Sequence, residues 1–446
     1  MSELLELADR IVAQARPGEQ IEAFVARGGE TDVRVYQGEI EHFVAAQSEG
    51  VGIRVITGGR TGFAYAGTLA ADAVAEVLAE ARDNVAFGEP DEWAGLAEPD
   101  GVELTDQELW NDALAGFPTE RKIELALELE RRTLAADGRV RIDDANYADA
   151  YGEAAVASTT GIRQAGSENG CYVSVSTLAD DRGDTQTGFG FSVARQPDLI
   201  DLERAAREAA ERATRLLGAT KPASQRVTVV LDPFVTAQFL SIIASTLNGE
   251  AVVKGRSLFR DRLGEPIAAP HVTLVDDPTN PLAYTATDVD GEGLAARRNV
   301  LIGDGVLQRF MHSSYSARRA GTVSTGNAVR GGFAGAPGVG ALALQLLPGT
   351  RSQAELIAAV GDGLLVQSVQ GIHSGVNAVS GDFSTGASGL MIRNGQVAEP
   401  VREFTIASTL QRMLLDVVEV GGDVDWLPMR AAGVSLVVDG VTLSGT

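Results

Sequence analysis

"RVTVVLDPFVTAQFLSIIASTLNGE", residues 226–250, reads as a strand running straight into a helix, and it divides the chain into two textures. Asp232 suits an N-cap, Pro233 the first helical position, and Asn248-Gly249 a C-terminal stop. Phe239, Leu240, Ile243, Ala244 and Leu247 recur at three- and four-residue spacing, while Gln238, Ser241, Ser245 and Asn248 fall on the opposite side. Ser241 and Ser245 therefore share one face. That spacing of four is also the one at which a metallopeptidase helix offers two histidines to zinc, but the ligands are missing here. On composition a solvent-facing polar stripe is the better account of the serines.

N-terminal to this stretch the periodicity predicts two α+β units. Residues 1–87 read as a helix, alternating stretches such as "TDVRVYQGEIEHFVAA" and "VGIRVITGGRTGFAYAG", and a second helix from about Leu69 to Asp83. Residues 88–118 are rich in Pro, Gly and acids and read as a linker. Residues 119–222 repeat the order: the helix "TERKIELALELERRTLAAD", strands from Val140 to about Val193, then the helix "DLERAAREAAERATRLLG". Helix, meander, helix thus occurs twice, a pattern that suggests two related units. Residues 223–446 carry short apolar runs beside Asp-Gly and Asn-Gly turns, with few helices beyond the opening one and "SQAELIAAVG". The expected class is α+β, two N-terminal α+β units followed by a β-rich C-terminal domain.

The charge excludes several functions. With 37 basic and 61 acidic residues the chain carries a formal charge of −24, and no basic run offsets it locally, so nucleic acid is not expected as a partner. No run approaches the roughly 18 apolar residues of a membrane span. The opening "MSELLELADRIVAQAR" spaces acids and bases through an amphipathic helix, with no basic region ahead of an apolar block, so no signal peptide is expected. Cys171 is the single cysteine, which excludes an intrachain disulfide and fits a reducing cytoplasm.

The remaining motifs have a structural explanation beside each functional one. His42, His271, His312 and His373 are the four histidines; no HExxH or HxxxH can be written, and each reads as an ordinary turn or strand residue unless distant carboxylates complete a site. "DVDGEG" (288–293) lacks the glycine position and the bidentate acid of a calcium loop and reads as an acidic turn. "GGFAGAPGVGAL" (331–342) has no lysine and no following helix for a phosphate cradle. "GIHSGVNAVSGDFSTGASG" (371–389) places Ser374 and Ser384 near His373 and Asp382, without the GxSxG elbow of a serine hydrolase. Asn327 and Arg330 in "STGNAVR", with His373, Asn377, Asp382 and Ser384, either bond an extended peptide in a groove or satisfy turns.

"LFRDRLGEPI" (258–267), the run 290–330 from "DGEGLAARRNVLIGDG" to "SYSARRAGTVSTGNAVR", and the run 362–401 around "GIHSGVNAVSGDFS" together resemble the TldD/PmbA family, more its PmbA (TldE) branch than its TldD branch. The resemblance implies a cytosolic proteolytic assembly. In it a TldD-type zinc metallopeptidase, with an HExxxH helix and a C-terminal cysteine ligand, pairs with a PmbA/TldE-type subunit around a chamber for unfolded peptides or peptide precursors. Anchored on "LNGEAVVKGRSLF", the family's first histidine falls near Leu240, its glutamate near Ser241 and its second histidine near Ser245. "GGDVDWLPMRAAGVSLVV" (421–438) has no cysteine, and Cys171 lies in another unit. The resemblance thus implies a subunit without catalytic residues or bound cofactor, with zinc held by a TldD-type partner. A self-sufficient hydrolase using 371–389 and a homo-oligomeric peptide-binding protein are the alternatives.

Overall fold

The computed structural model describes residues 2–446, so Met1 of the first unit lies outside it. The repeated order is present: α1 (Glu3–Val12), β1 (Gln20–Tyr36), β2 (Glu39–Thr57), β3 (Arg60–Ala66) and α2 (Ala71–Asn84) are followed, after a single-turn α3 (Asp112–Ala115), by α4 (Thr119–Ala136), β4 (Val140–Ser158), β5 (Arg163–Asp181), β6 (Asp184–Ala194) and α5 (Leu202–Thr214). Each terminal helix is amphipathic and lays a small apolar face on its meander. In α1 that face is Leu4, Leu5, Ala8 and Ile11, and in α5 it is almost entirely alanine.

The two units share one sheet. Strand order is β3-β2-β1-β4-β5-β6, and β1 pairs antiparallel with β4 from Glu22↔Ser158 to Val35↔Ala145. The long central strands also exchange ends: Val33 and Val35 of β1 enter the core under α4 and α5, while Ala155 and Ala157 of β4 enter the core under α1 and α2. Alternation along a strand tells which face is buried but not which strand lies beside it. The join was therefore not readable.

Helix and sheet approach closely in the same way in both units. A methyl group on Gly62 of β3 would stand 2.0 Å from the Ala81 carbonyl of α2, and one on Gly190 of β6 would stand 1.9 Å from the Ala205 carbonyl of α5. Glycine opposite alanine is thus the packing unit of both layers.

The C-terminal domain opens with β7 (Gln225–Leu231), α6 (Pro233–Thr246) and α7 (Gly249–Val253). Next come β8 (Leu274–Asp276), β9 (Asn299–Gly303), β10 (Val306–Leu307), α8 (Ser314–Ala320), β11 (Ala328–Val329), β12 (Gly338–Val339), β13 (Leu344–Leu346) and α9 (Gln353–Val360). It ends with β14 (Gly363–Gln370), α10 (Ile372–Gly375), β15 (Asp382–Arg393), β16 (Gln396–Thr409), α11 (Leu410–Leu415), β17 (Val417–Val420) and β18 (Leu436–Ser444). Its main sheet runs β16-β15-β14-β7-β18-β17, and β16 also pairs with β18, so the ladder returns on itself. Helix α6 is buried against the inner side of this ladder through Phe239, Leu240, Ile243 and Ala244. Helix α8 was not readable, because its serine-rich start looks like a loop; Ser313 and Ser316 form its capping box.

Residues 88–118 hold fixed positions over much of their length. Arg318 donates to the carbonyls of Trp93, Gly95 and Leu96, Gln107 Nε2 donates to the Thr287 carbonyl at 2.9 Å, and Asn111 N to Asn169 Oδ1 at 2.9 Å. The segment straps the N-terminal sheet to the C-terminal domain.

Gly190→Ala should destabilise the chain by about 1–3 kcal/mol through overpacking. Gly152→Ala, whose new methyl meets nothing within 4 Å, should stay within about 0.5 kcal/mol of the parent. Urea unfolding of the two variants checks this, and equal stabilities would dismiss the close-approach account.

Candidate functional site

The α6 cap forms as its sequence predicts, with the Asp232 carboxylate accepting from Phe234 N at 3.1 Å. The helix stops as expected just ahead of Asn248-Gly249, at Thr246 with Leu247 as its C-cap, and Asn248 also caps α7, its Oδ1 accepting from Glu250 N at 2.8 Å and Ala251 N at 3.2 Å. Leu240 is fully enclosed in the core, whereas Ser241 and Ser245 face solvent. Each serine hydroxyl donates to its own helix, Ser241 to the Ala237 carbonyl at 2.9 Å and Ser245 to the Ile242 carbonyl at 2.6 Å.

These three positions do not fit a zinc ion, because Leu240 has no donor atom and its side chain is committed to the core. His312 is buried beside Ser316, with Nδ1 3.1 Å from Oγ, and burial lowers it to about 4, so it is a neutral packing group at pH 7. Burial pushes the Cys171 thiol up to about 12, which leaves it inert as a ligand or nucleophile. Among the described residues no three His, Cys, Asp or Glu side chains converge as a metal site would require.

The segment 371–389 does not assemble a triad. His373 is exposed on the single-turn α10, Ser374 Oγ donates to the Gly371 carbonyl at 3.2 Å, and Asp382 accepts from Ser380 Oγ at 2.6 Å. Asn377 Oδ1 closes an Asx turn by accepting from Val379 N at 2.9 Å and Ser380 N at 3.1 Å. Ser384 lies exposed on β15. Among the described residues no hydrogen bond links His373 to either serine or to Asp382.

Asn327 and Arg330 lie inside the molecule. Asn327 is fully buried, with Nδ2 donating to Asp276 Oδ2 at 2.6 Å and Oδ1 accepting from Thr325 Oγ1 at 2.7 Å. Arg330 Nη2 reaches Glu22 Oε1 on β1 at 2.6 Å, its Nε donates to the Gly291 carbonyl at 3.0 Å, and its guanidinium lies 4.6 Å above the Phe24 ring. On its other oxygen Glu22 accepts from Arg54 Nη2 at 2.8 Å, and Arg54 in turn stands 3.9 Å from Glu292. Burial alone would raise the Glu22 carboxyl, yet the two guanidinium groups hold it below the ordinary carboxylate range.

The acidic turn 288–293 is part of this interior. Asp290 accepts from the amides of Glu292, Leu294 and Ala328, at 2.9, 3.0 and 3.0 Å, and Glu292 accepts from Ser314 N and Oγ at 2.8 and 2.6 Å. Burial, with the Glu292 carboxylate adding, pushes Asp290 up to about 7. The sequence marks this turn only as acidic, and acidity usually signals a solvated surface.

Beside this network a cleft of about 630 Å³ separates the N-terminal sheet from the C-terminal domain, within the range of ligand sites. One wall is β4 and β5 around Tyr151 and Gly166, the other is formed by 284–291 and 328–332, and Leu104 and Leu109 of the strap edge it. Glu168 of β5 also lines the cleft and is solvent-exposed. Arg195 donates to the carbonyls of Leu109, Asn169, Tyr284 and Ala286, tying strap, sheet and C-terminal domain together. Of the polar candidates from the sequence, Arg330 alone lines this cleft.

Arg330→Ala should destabilise by about 3–5 kcal/mol in urea unfolding, since it leaves a buried carboxylate half-paired; a loss under about 1 kcal/mol would show that the contact is peripheral. Asp290 has a folded-state value above its unfolded one, so its charged form is penalised in the fold, and its contribution to stability falls as pH rises toward 7. The stability difference between parent and Asp290→Asn should shrink by about 1 kcal/mol per pH unit from pH 5 to 7 and then level off. A pH-independent difference would contradict this.

Residues 21–85, 112–217 and 224–445 match the family profiles described as PmbA/TldA metallopeptidase domain 1, central domain and C-terminal domain. The chain is 28% identical over 428 residues, 95% of its length and 92% of the relative's, to the Metalloprotease PmbA of Escherichia coli O157:H7. It is 28% identical over 423 residues, 89% of its length and 87% of the relative's, to the Metalloprotease TldD homolog of Haemophilus influenzae. The crystal structure of TldE from Thermococcus kodakarensis shares the fold with a TM-score of 0.90 at 23% identity, covering 99% of both chains. With all three profiles matched in order along the fold just described, the chain belongs to the PmbA/TldD family.

Proposed function

We propose that this chain is the non-catalytic, PmbA (TldE)-type subunit of a cytoplasmic metallopeptidase assembly, and that it forms part of a chamber for unfolded peptides or peptide precursors. The observation that carries the reading is helix α6: at the positions where the family resemblance puts the zinc ligands and general base stand a core leucine and two self-bonded serines. Without imidazoles there is no Lewis acid, and without the glutamate no base activates water. Zinc and the hydrolytic step then belong to a TldD-type partner.

A second feature supports assembly. Strand β3 covers β2 only from Val51 to Thr57, so residues 39–49 of β2 form an uncovered edge, and Tyr36, Ile40 and Phe43 beside it are 41%, 48% and 43% exposed. A long uncovered edge that exposes large apolar side chains is a liability unless another chain covers it. The TldD-type partner is the occupant this reading assigns to it.

Tagged protein isolated under mild conditions from its native cells should carry a TldD-type homologue with bound zinc in near-equal amount by native mass spectrometry. The double substitution Ile40→Lys, Phe43→Lys should reduce that recovery by about tenfold or more without lowering the thermal stability of the isolated chain, because both side chains are solvent-exposed. A homo-oligomer that cleaves peptides by itself would overturn the reading.

A further inference from the structure

The hairpin arm between β11 and β12 is tied down at its base and bare along its length. The two strands pair through Ala328↔Val339 and Val329↔Gly338, Asn248 Nδ2 donates to the Val339 carbonyl at 2.7 Å, and Arg330 is held by Glu22 and the Gly291 carbonyl. Between these anchors runs "GGFAGAPG" (331–338). Among the described residues the amides of 331–336 donate no hydrogen bond, and the Gly335 carbonyl accepts from Arg330 Nη1 at 3.2 Å. Gly332 has a φ of +106°, which a side chain rarely allows. A segment so sparsely bonded opens at low cost. Its seat on the N-terminal sheet is made by Phe333. A methyl group on Gly50 of β2 would stand 2.5 Å from the Phe333 ring, and one on Gly52 would stand 2.2 Å from the Phe333 carbonyl oxygen. Any side chain at position 52 therefore unseats the arm. Arg330 and Gly332 line the cleft and Phe333 lies past it on β2, so the seated arm walls the cleft on its β2 side.

We propose that residues 331–337 are a latch: seated on Gly50 and Gly52 they close the β2 side of the cleft, and a chain docked on the uncovered β2 edge holds them there. Strand β3 stops at Ala66, opposite Val51, and the open stretch of β2 lies just beyond. A strand added to residues 39–49 continues the line of β3 and reaches its end beside Gly50. Successive residues of a strand alternate faces, so Ser48 shares with Gly50 and Gly52 the face on which Phe333 lies. On that face the Phe333 ring stands 6.5 Å from the ring of Tyr65, which is 53% exposed. A docked chain covers both rings when the arm is seated and loses Phe333 when the arm swings out. Contact made with one state alone is what shifts an equilibrium, and it makes assembly and closure of the cleft a single event. The coupling rests on the assignment of the β2 edge to a TldD-type partner; the latch itself does not.

The test uses the full chain, nicked by dilute subtilisin, with cleavage inside 331–337 identified by mass spectrometry. Nicking of a segment that opens and closes faster than it is cut reports the open population, so Gly52→Ala should be nicked about tenfold faster than the parent, or more. If Gly52→Ala does not fold, Phe333→Ala, which removes the ring from the arm itself, should show the same rise. Purified TldD-type subunit, added at a concentration at which native mass spectrometry shows both chains bound, should slow nicking of the parent about tenfold and leave Gly52→Ala as fast as before. Equal nicking of the parent and both variants overturns the latch. Protection of Gly52→Ala as strong as that of the parent overturns the coupling, because the subunit then merely shields the arm. If the parent binds no subunit, the proposed function and the coupling fall together, and the ratio of parent to variant still decides on the latch.

Discussion

Glu22 is the constraint on which the arrangement of the molecule depends. It lies near the start of the central strand β1, is 3% exposed at the side chain, and is held between Arg54 of the same sheet and Arg330 of the C-terminal domain. Burying three charges costs several kcal/mol per ion unless the geometry repays it, and each partner lost leaves an uncompensated charge inside. The docking of the two bodies brings all three groups into contact. The ion network thus fixes the relative placement of sheet and C-terminal domain, and with it the walls of the cleft that Phe24 and Arg330 line at one end.

The same architecture separates two jobs. In the C-terminal domain α6 is a packing element, with eight of its residues buried. The N-terminal sheet keeps long strands that outrun their neighbours, so that backbone groups stay available on β2 and on β5. On the proposed reading the β2 edge serves a partner chain. The strap of residues 88–118 fills one position of the β5 edge itself.

Much of the fold was legible because it is written locally. Asp232 and Pro233 announced α6, and helix, meander, helix was visible twice in apolar spacing. The Asn248-Gly249 stop was legible too, but not the second role of Asn248: an Asn-Gly pair both ends and starts helices, and here the amide side chain caps the next one. What the sequence could not display is pairing across distance. Glu22 and Arg330 are 308 residues apart, and each taken alone is an ordinary charged residue. "DVDGEG" reads in sequence as an acidic turn and nothing there signals burial, which three backbone amides and Ser314 make tolerable. The polar candidates of 371–389 spend much of their hydrogen bonding on turns, and the cleft was invisible because strand edges depend on where neighbours stop.

On the proposed reading this chain handles peptide without cutting it. The most direct measurement is cleavage of an unstructured peptide by the purified chain in the presence of zinc, alone and after mixing with a purified TldD-type subunit. The account predicts no cleavage by the chain alone and chelator-sensitive cleavage in the mixture. Steady cleavage by the chain alone, unaffected by chelator, would contradict it.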